Sequence, residues 1–309
     1  MRILLQFPEG LKQNALEYAR KLEEDGNEVF ISASPSFGAC DLAISEARKL
    51  KVDKLIHFGH AEFHKLNEEF EIEYVEYRVD APLEILKDSL EYLKDYKVLS
   101  IVTTVQHIQQ IPDIKRFFEE HGKEVKIGKP FGFAKYEGQI LGCDVGSATS
   151  IDSIVDAHVY FGGGLFHPVG ALLGTKKPFF IIEPFTTEIK RIDDLRIEYA
   201  KRSKGKILSS IDAKKFGILV SIKNGQYNIN LAKIIKKKIE DSGCIAEILV
   251  ADTFDFISLD NLMSFDAYVN TACPRLATED TKRTRAPILS ANELIELLNI
   301  KEELKKNYK

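Results

Sequence analysis

Four cysteines, Cys40, Cys143, Cys244 and Cys273, are scattered through the sequence without a single CxxC pair. In a chain of this kind a thiol can ligate metal, act as a nucleophile or fill space as a small apolar side chain, and disulfide pairing is the weakest expectation. Cys40 lies in Phe37-Gly38-Ala39-Cys40-Asp41, Cys143 in Gly138-Gln139-Ile140-Leu141-Gly142-Cys143-Asp144, and Cys273 in Thr271-Ala272-Cys273-Pro274-Arg275. Glycine or proline stands close to each of them. His60, His107 and His167 are the other side chains with chemistry to offer, as metal ligands, as proton or substrate handlers, or as hydrogen-bonded structural groups.

The elements that must position these residues emerge when the chain is laid over itself. Glu23-Glu24-Asp25-Gly26-Asn27, Glu119-Glu120-His121-Gly122-Lys123 and Glu240-Asp241-Ser242-Gly243-Cys244 each place a glycine where a helix would end in the left-handed conformation. An apolar strand follows each time. Farther on come Asp53-Lys54-Leu55-Ile56-His57, Asp156-Ala157-His158-Val159-Tyr160 and Asp266-Ala267-Tyr268-Val269-Asn270. Each repeat opens on a strand, at Ile3 to Phe7, Val98 to Thr103 and Phe216 to Ser221, and helical spacing shows in Leu16, Ala19 and Leu22. Alternating strands and helices predict parallel sheets with right-handed crossovers. The fold class is therefore α/β, with three Rossmann-like domains at about 1–94, 95–190 and 212–309, and a charged connector at about 191–211.

Ligands of open α/β sheets bind beyond the carboxyl ends of the strands. Cys40 and Cys143 follow the second strand of their repeats and Cys273 the third strand of its own, so all three belong to that edge. Cys244, between helix and strand, belongs to the opposite one. A pseudo-threefold arrangement would gather three thiolates, although small core residues would occupy the same sequence positions. Three thiolates without an obvious fourth ligand suit an iron-sulfur cluster with one open iron, whereas structural zinc is usually held by four ligands.

The words around these residues resemble the archaeal 3-amino-3-carboxypropyl transferases of diphthamide biosynthesis over essentially the whole chain. The resemblance is carried in order by Gln6-Phe7-Pro8-Glu9-Gly10-Leu11, Gly38-Ala39-Cys40-Asp41, Leu55-Ile56-His57-Phe58-Gly59-His60 and Thr103-Thr104-Val105-Gln106-His107. It continues through the Cys143 segment, Gly164-Leu165-Phe166-His167-Pro168, Val220-Ser221-Ile222-Lys223-Asn224-Gly225-Gln226 and Ala272-Cys273-Pro274-Arg275.

The resemblance implies a 4Fe-4S cluster on Cys40, Cys143 and Cys273, S-adenosylmethionine as cosubstrate, and an atypical radical transfer. The 3-amino-3-carboxypropyl group would pass to C2 of a histidine imidazole in elongation factor two, and methylthioadenosine would leave. Glu9, Gly10, Gly162, Gly163, Gly164, Ser221, Lys223, Gln226 and Arg275 are the implied cofactor-binding positions. A homodimer and an external electron donor are implied as well. Departures exist: Ala61 follows His60 where a hydroxyl residue is expected, Glu183-Pro184-Phe185 replaces an Asp-Pro-Tyr-like element, and the first strand begins without the family's longer leader.

Composition sets outer limits. At 309 residues, 44% hydrophobic and 29% charged, the chain has the make-up of a globular protein with more than one unit. A net charge of −4 gives no reason to expect direct nucleic-acid binding. Lys236, Lys237 and Lys238 form a local basic run, readable as a solvated helix face or as a docking patch. No apolar stretch approaches the roughly 20 residues of a membrane span, and no signal peptide is visible, so a cytoplasmic location is expected. Two rival functions fit the same three cysteines: a quinolinate-synthase-like 4Fe-4S dehydratase, and a non-catalytic iron-sulfur redox or interaction protein.

Overall fold

The aspartates that mark the repeat do the same work three times. In the computed structural model, which describes residues 1–63, 65–278 and 284–307, Asp53 Oδ2 accepts from Arg2 N at 2.6 Å. Asp156 Oδ2 accepts from Lys97 N and Val98 N at 2.9 and 2.8 Å, and Asp266 Oδ2 from Lys214 N and Lys215 N at 2.8 and 2.9 Å. Each carboxylate satisfies backbone donors at the amino edge of a sheet, where no neighbouring strand reaches them. Those bonds hold the carboxyls of Asp156 and Asp266 below the usual range.

Three sheets result. The first orders β1 (Arg2–Gln6), β2 (Glu28–Ile31), β3 (Lys54–Phe58) and β4 (Glu71–Val75) as β2-β1-β3-β4, all parallel. The second contains β5 (Val98–Thr103), β6 (Glu124–Lys126), β7 (Ala157–Phe161), β8 (Phe179–Glu183) and β9 (Glu188–Arg191), ordered β6-β5-β7-β8-β9 with only β9 antiparallel. The third orders β10 (Lys215–Ser221), β11 (Ile245–Ala251), β12 (Ala267–Asn270) and β13 (Ile288–Ser290) as β11-β10-β12-β13, again parallel. The expected α/β class with three mostly parallel sheets is what the chain forms. Residues 1–193, with the first two sheets, make one compact unit, and residues 194–309, with the third, make another.

The helices are α1 (Ala15–Glu24), α2 (Ile44–Leu50), α3 (Ile85–Tyr92), α4 (Ile111–Glu120), α5 (Gly146–Thr149), α6 (Phe166–Gly174), α7 (Asp194–Ser209), α8 (Ile229–Asp241), α9 (Phe256–Asp260), α10 (Arg275–Thr278) and α11 (Ala291–Asn307). Helices α1, α4 and α8 end at Gly26, Gly122 and Gly243, whose φ values of 80°, 78° and 85° are those anticipated. The next residue in each case returns its N–H to the helix: Asn27 to Leu22 O, Lys123 to Phe118 O and Cys244 to Ile239 O.

Strands buried on both faces alternate between two cores, as parallel sheets require. On β1, Ile3 and Leu5 pack with Ala15 and Ala19 of α1, and Leu4 packs with Ile44 and Ala47 of α2. The inward face of α1 is set by Ala15 and Ala19, not by Leu16, which is 56% exposed. Of the expected Leu16-Ala19-Leu22 stripe, Ala19 and Leu22 do face the core and Ala15 replaces Leu16, because small side chains let the helix lie close to the sheet. On α8, Ile235 and Ile239 are buried while Lys236 pairs with Glu247 at 2.9 Å, so the basic run coats a solvated face. Among the described residues, no helix is long and apolar enough to cross a membrane.

Candidate active site

All strands of the first and third sheets, and all but β9 of the second, run in one direction within their sheet, so the loops after them share one edge. In the first unit that edge carries Glu9 and Gly10 after β1, Cys40 after β2, His60 after β3, His107 after β5, Cys143 after β6, and Gly162 to Gly164 with His167 after β7. In the second unit, taken by itself, the corresponding edge of the third sheet carries Ser221, Lys223 and Gln226 at the end of β10, and Cys273 and Arg275 after β12. Cys244 lies at the opposite edge, its Sγ 3.9 Å from both Ala213 O and Lys301 Nζ.

Within the first unit, contacts tie these loops together across the two sheets. Gln106 Nε2 donates to Gly59 O at 3.2 Å, Val79 N donates to Gln106 O at 2.7 Å, and the rings of Phe63 and Phe133 stack at 4.6 Å. His107 is buried, donates from Nδ1 to Val79 O at 2.9 Å, and meets the ring of Phe161 edge-on. Gly142, beside Cys143, lies flat against Phe166 of α6: a Cβ there would come within 2.1 Å of Cζ. That contact seats α6, and with it His167, against the Cys143 loop.

Gly162 and Gly164 have φ values of 141° and 76°, and a Cβ on Gly163 would fall 2.5 Å from Glu183 Oε2. Tyr160 pins the turn by donating its hydroxyl to Gly163 O at 3.0 Å, and burial pushes its phenol pKa up. In the second unit Lys223 is buried, with Nζ 3.1 Å from Asp252 Oδ2 and its N–H donated to Ser221 Oγ at 3.2 Å. Arg275 is exposed, and Glu9, also exposed, pairs with Lys12 at 2.6 Å.

A chain of hydrogen bonds beneath the first sheet's loops fixes where protons reside. Gln6 Nε2 donates to Asp41 O at 2.7 Å and Gln6 Oε1 accepts from Ala43 N at 3.1 Å, so two backbone groups orient the amide. His57 Nδ1, 2.9 Å from Gln6 Oε1, must therefore carry hydrogen. Its Nε2 then holds a lone pair and accepts from His60 Nδ1 at 3.0 Å, which leaves His60 Nε2 unprotonated. Burial, then the neighbouring His60, lowers the His57 pKa to about 3. For His60, burial lowers it to about 4 against the opposing pull of the Phe58 carbonyl.

A testable acid sensitivity follows. Unfolded, His57 takes up a proton near pH 6.5; folded, it resists until about 3. Its contribution is complete above pH 6.5 and is lost as pH falls toward about 3, at up to about 1.4 kcal/mol per pH unit. The melting temperature of the metal-free protein is expected to drop progressively below pH 6.5. His57→Phe should be less stable at pH 8, through loss of the Gln6 bond, yet show a shallower decline. An equally steep decline in that variant would exclude His57 as the cause.

The whole chain also has relatives. A family model of diphthamide synthesis proteins matches residues 7–309. The chain belongs to the diphthamide synthesis family. It is 36% identical to a 2-(3-amino-3-carboxypropyl)histidine synthase of Pyrococcus horikoshii, over 98% of this chain and 87% of that protein. The synthase of Methanocaldococcus jannaschii is 28% identical, over 94% of this chain and 83% of its own length. Human 2-(3-amino-3-carboxypropyl)histidine synthase subunit 1 is 25% identical over 94% of this chain and 67% of its own. A crystal structure of Dph2 from Pyrococcus horikoshii with a 4Fe-4S cluster superposes with a TM-score of 0.90 at 35% identity, covering 98% of this chain and 87% of that one.

For this family member the donor set can be judged from its own residues. Cys40 and Cys273 are half-buried and Cys143 is exposed. Thiolates are the usual holders of iron-sulfur clusters, and each of these three lies on a binding-edge loop. Their donor chemistry suits such a group, although among the described residues no three His, Cys, Asp or Glu side chains are gathered closely enough to hold a metal ion.

Gln6, His57 and Tyr160, which orient their neighbours at this edge, were not evident in the sequence as functional residues, and Asp144 and Asn270, beside or near two of the cysteines, are buried as well. His57 reads there as one more strand residue. Asp144 had a visible signal, since Cys-Asp occurs at both 40–41 and 143–144.

Proposed function

We propose that this protein is a 3-amino-3-carboxypropyl transferase that modifies a histidine of elongation factor two, the first step of diphthamide synthesis. The observation that supports this most directly is the match, over nearly the whole chain, to a synthase of that activity at 36% identity. Cys40, Cys143 and Cys273 hold a 4Fe-4S cluster. When bound, the cluster supplies the electron that breaks the bond between sulfur and the methionine γ-carbon of S-adenosylmethionine.

The chain's own residues bind and orient. The Gly162 to Gly164 turn, held by Tyr160, brings bare backbone to the nucleoside. Lys223, Gln226 and Arg275 take the methionine carboxylate and ribose, while Ser221 fixes the backbone of Lys223. Glu9 and Gly10 line the same edge. His60, whose Nε2 holds a lone pair, takes the proton displaced from imidazole C2, the accompanying electron of the adduct being one the oxidised cluster would take back, and His107 and His167 shape the approach. The protein works in the cytoplasm as a homodimer, the commonest symmetric assembly, with an external electron donor.

The test is direct. Anaerobically reconstituted protein is incubated with dithionite, S-adenosylmethionine and elongation factor two, and the target histidine is examined by mass spectrometry. An aminocarboxypropyl adduct on that residue is expected. An unmodified histidine, in a reaction that consumes no S-adenosylmethionine, would overturn the reading.

A further inference from the structure

The acidic residue behind Cys143 makes more backbone contacts than its position would suggest. Asp144 is 2% exposed, yet no cation is needed to hold its charge. Its Oδ1 accepts from Phe131 N and Gly146 N, both at 3.0 Å, and its Oδ2 from Gly132 N at 3.0 Å, Phe133 N at 2.8 Å and Ala134 N at 3.1 Å. Five backbone donors converge on one carboxylate. Four come from residues 131–134, near the start of the long loop that joins β6 to α5, and the fifth comes from the first residue of α5. The cysteine is therefore carried on a segment whose two ends are gathered to the side chain next to it.

The same device recurs, in smaller form, at the other two cysteines. Asp41, buried and next to Cys40, accepts from Phe37 N at 3.2 Å through Oδ2, and its carbonyl receives Gln6 Nε2. Cys273 comes after the third strand of its repeat and lacks an adjacent aspartate. There Asn270, also buried, accepts from Ala272 N at 3.0 Å and donates to Cys273 O at 2.8 Å. Asx side chains lie at turns in many proteins, but here each of the three proposed ligands has one on its own loop or at the strand end that leads into it.

We infer that Asp144, Asp41 and Asn270 are positioning residues that hold the three cysteine loops in their ligating conformation before any cluster is present, with Asp144 dominant. The inference rests on the reading of Cys40, Cys143 and Cys273 as cluster ligands. Its physical basis is pre-organisation: groups that orient ligands typically change metal affinity by about 10–100-fold when removed. An ionised carboxylate can accept all five donors, whereas an asparagine in its place turns an NH2 toward some of them and leaves those donors unpaired.

The experiment compares Asp144→Asn with Asp152→Asn. Asp152 is a carboxylate of the same unit that likewise accepts backbone donors, from Lys176 N and Lys177 N, and contacts His158 at 3.0 Å, but the donors it gathers lie between α6 and β8 and not on a cysteine loop. Each protein is reconstituted anaerobically, and loss of cluster absorbance is followed after addition of a chelator. Circular dichroism and melting of the metal-free forms report folding separately. Asp144→Asn is expected to lose its cluster at least about 10-fold faster than the parent while its metal-free form keeps the native dichroism. Asp152→Asn is expected to melt lower with an unchanged rate of cluster loss.

Equal cluster retention in Asp144→Asn and parent, or equal losses in both variants, would overturn the inference. Should Asp144→Asn not fold, Asp144→Glu, which keeps the charge but displaces it by one methylene, is judged by the same criterion. Cys143→Ala runs alongside: if it retains a full cluster, the ligand reading itself has failed, whatever Asp144 does.

Discussion

Cys40→Ala, Cys143→Ala and Cys273→Ala are each expected to leave the reconstituted protein well short of the about four irons per chain of the parent, and Cys244→Ala is expected to match the parent. A cluster held by three thiolates has no spare protein ligand, so removing one is more damaging than removing a group that merely orients it. Orienting groups cost about 10–100-fold, and turnover in the three ligand variants should fall by more than about 100-fold. Cys244 supplies the control because its surroundings belong to a different edge of the third sheet. Its N–H closes the end of α8, and its Sγ faces Ala213 O and Lys301 Nζ. Iron analysis and the visible absorbance of anaerobic samples decide the matter. Full iron in all three ligand variants would remove the basis for the proposed chemistry.

Those four cysteines could be sorted from the sequence because the repeat determines the edge. Asp53, Asp156 and Asp266, and Gly26, Gly122 and Gly243, perform local tasks that need particular residue types, so they stay visible where the rest of the repeat has diverged. Strands with alternating charge are less visible. β4 reads Glu71-Ile72-Glu73-Tyr74-Val75 inside an acidic region, and β13 is only three residues long, so neither stands out before its neighbours are known. Leu16 misled for the opposite reason: a large apolar side chain outweighs the adjacent alanine in a periodicity, although it is Ala15 that faces the sheet.

The three proposed ligands stand out in the sequence, whereas what holds their loops does not. Asp144 reaches donors 10 to 13 residues back along the chain, and nothing in the local pattern says that loop returns. The protonation order through Gln6, His57 and His60 likewise depends on residues up to 51 positions apart. Both features are made by contacts between residues well apart along the chain, and only the folded chain brings them together.

The largest remaining effect concerns which bond of S-adenosylmethionine breaks. Three carbons are attached to the sulfonium, and the one held in line with the electron source is best placed to leave, so orientation by the protein decides the product. Reduced enzyme without elongation factor two is expected to release methylthioadenosine with little 5′-deoxyadenosine, at a ratio above about 10. The nucleoside is proposed to rest on the Gly162 to Gly164 turn, which offers a local handle. Gly162 has a φ of 141°, and a Cβ there would lie 3.2 Å from Tyr160 Oη and 3.3 Å from His107 Cδ2. Gly162→Ala must therefore shift the backbone of the turn, and a misplacement of about 1 Å can cost on the order of 100-fold in rate. That variant is expected to form methylthioadenosine about 100-fold more slowly while keeping its iron, since the turn supplies no thiolate. Chromatography of the nucleoside products, with iron analysis on the same samples, checks both statements. Predominant 5′-deoxyadenosine from the parent enzyme would show that the γ-carbon is not the one aligned, even with the cluster fully assembled.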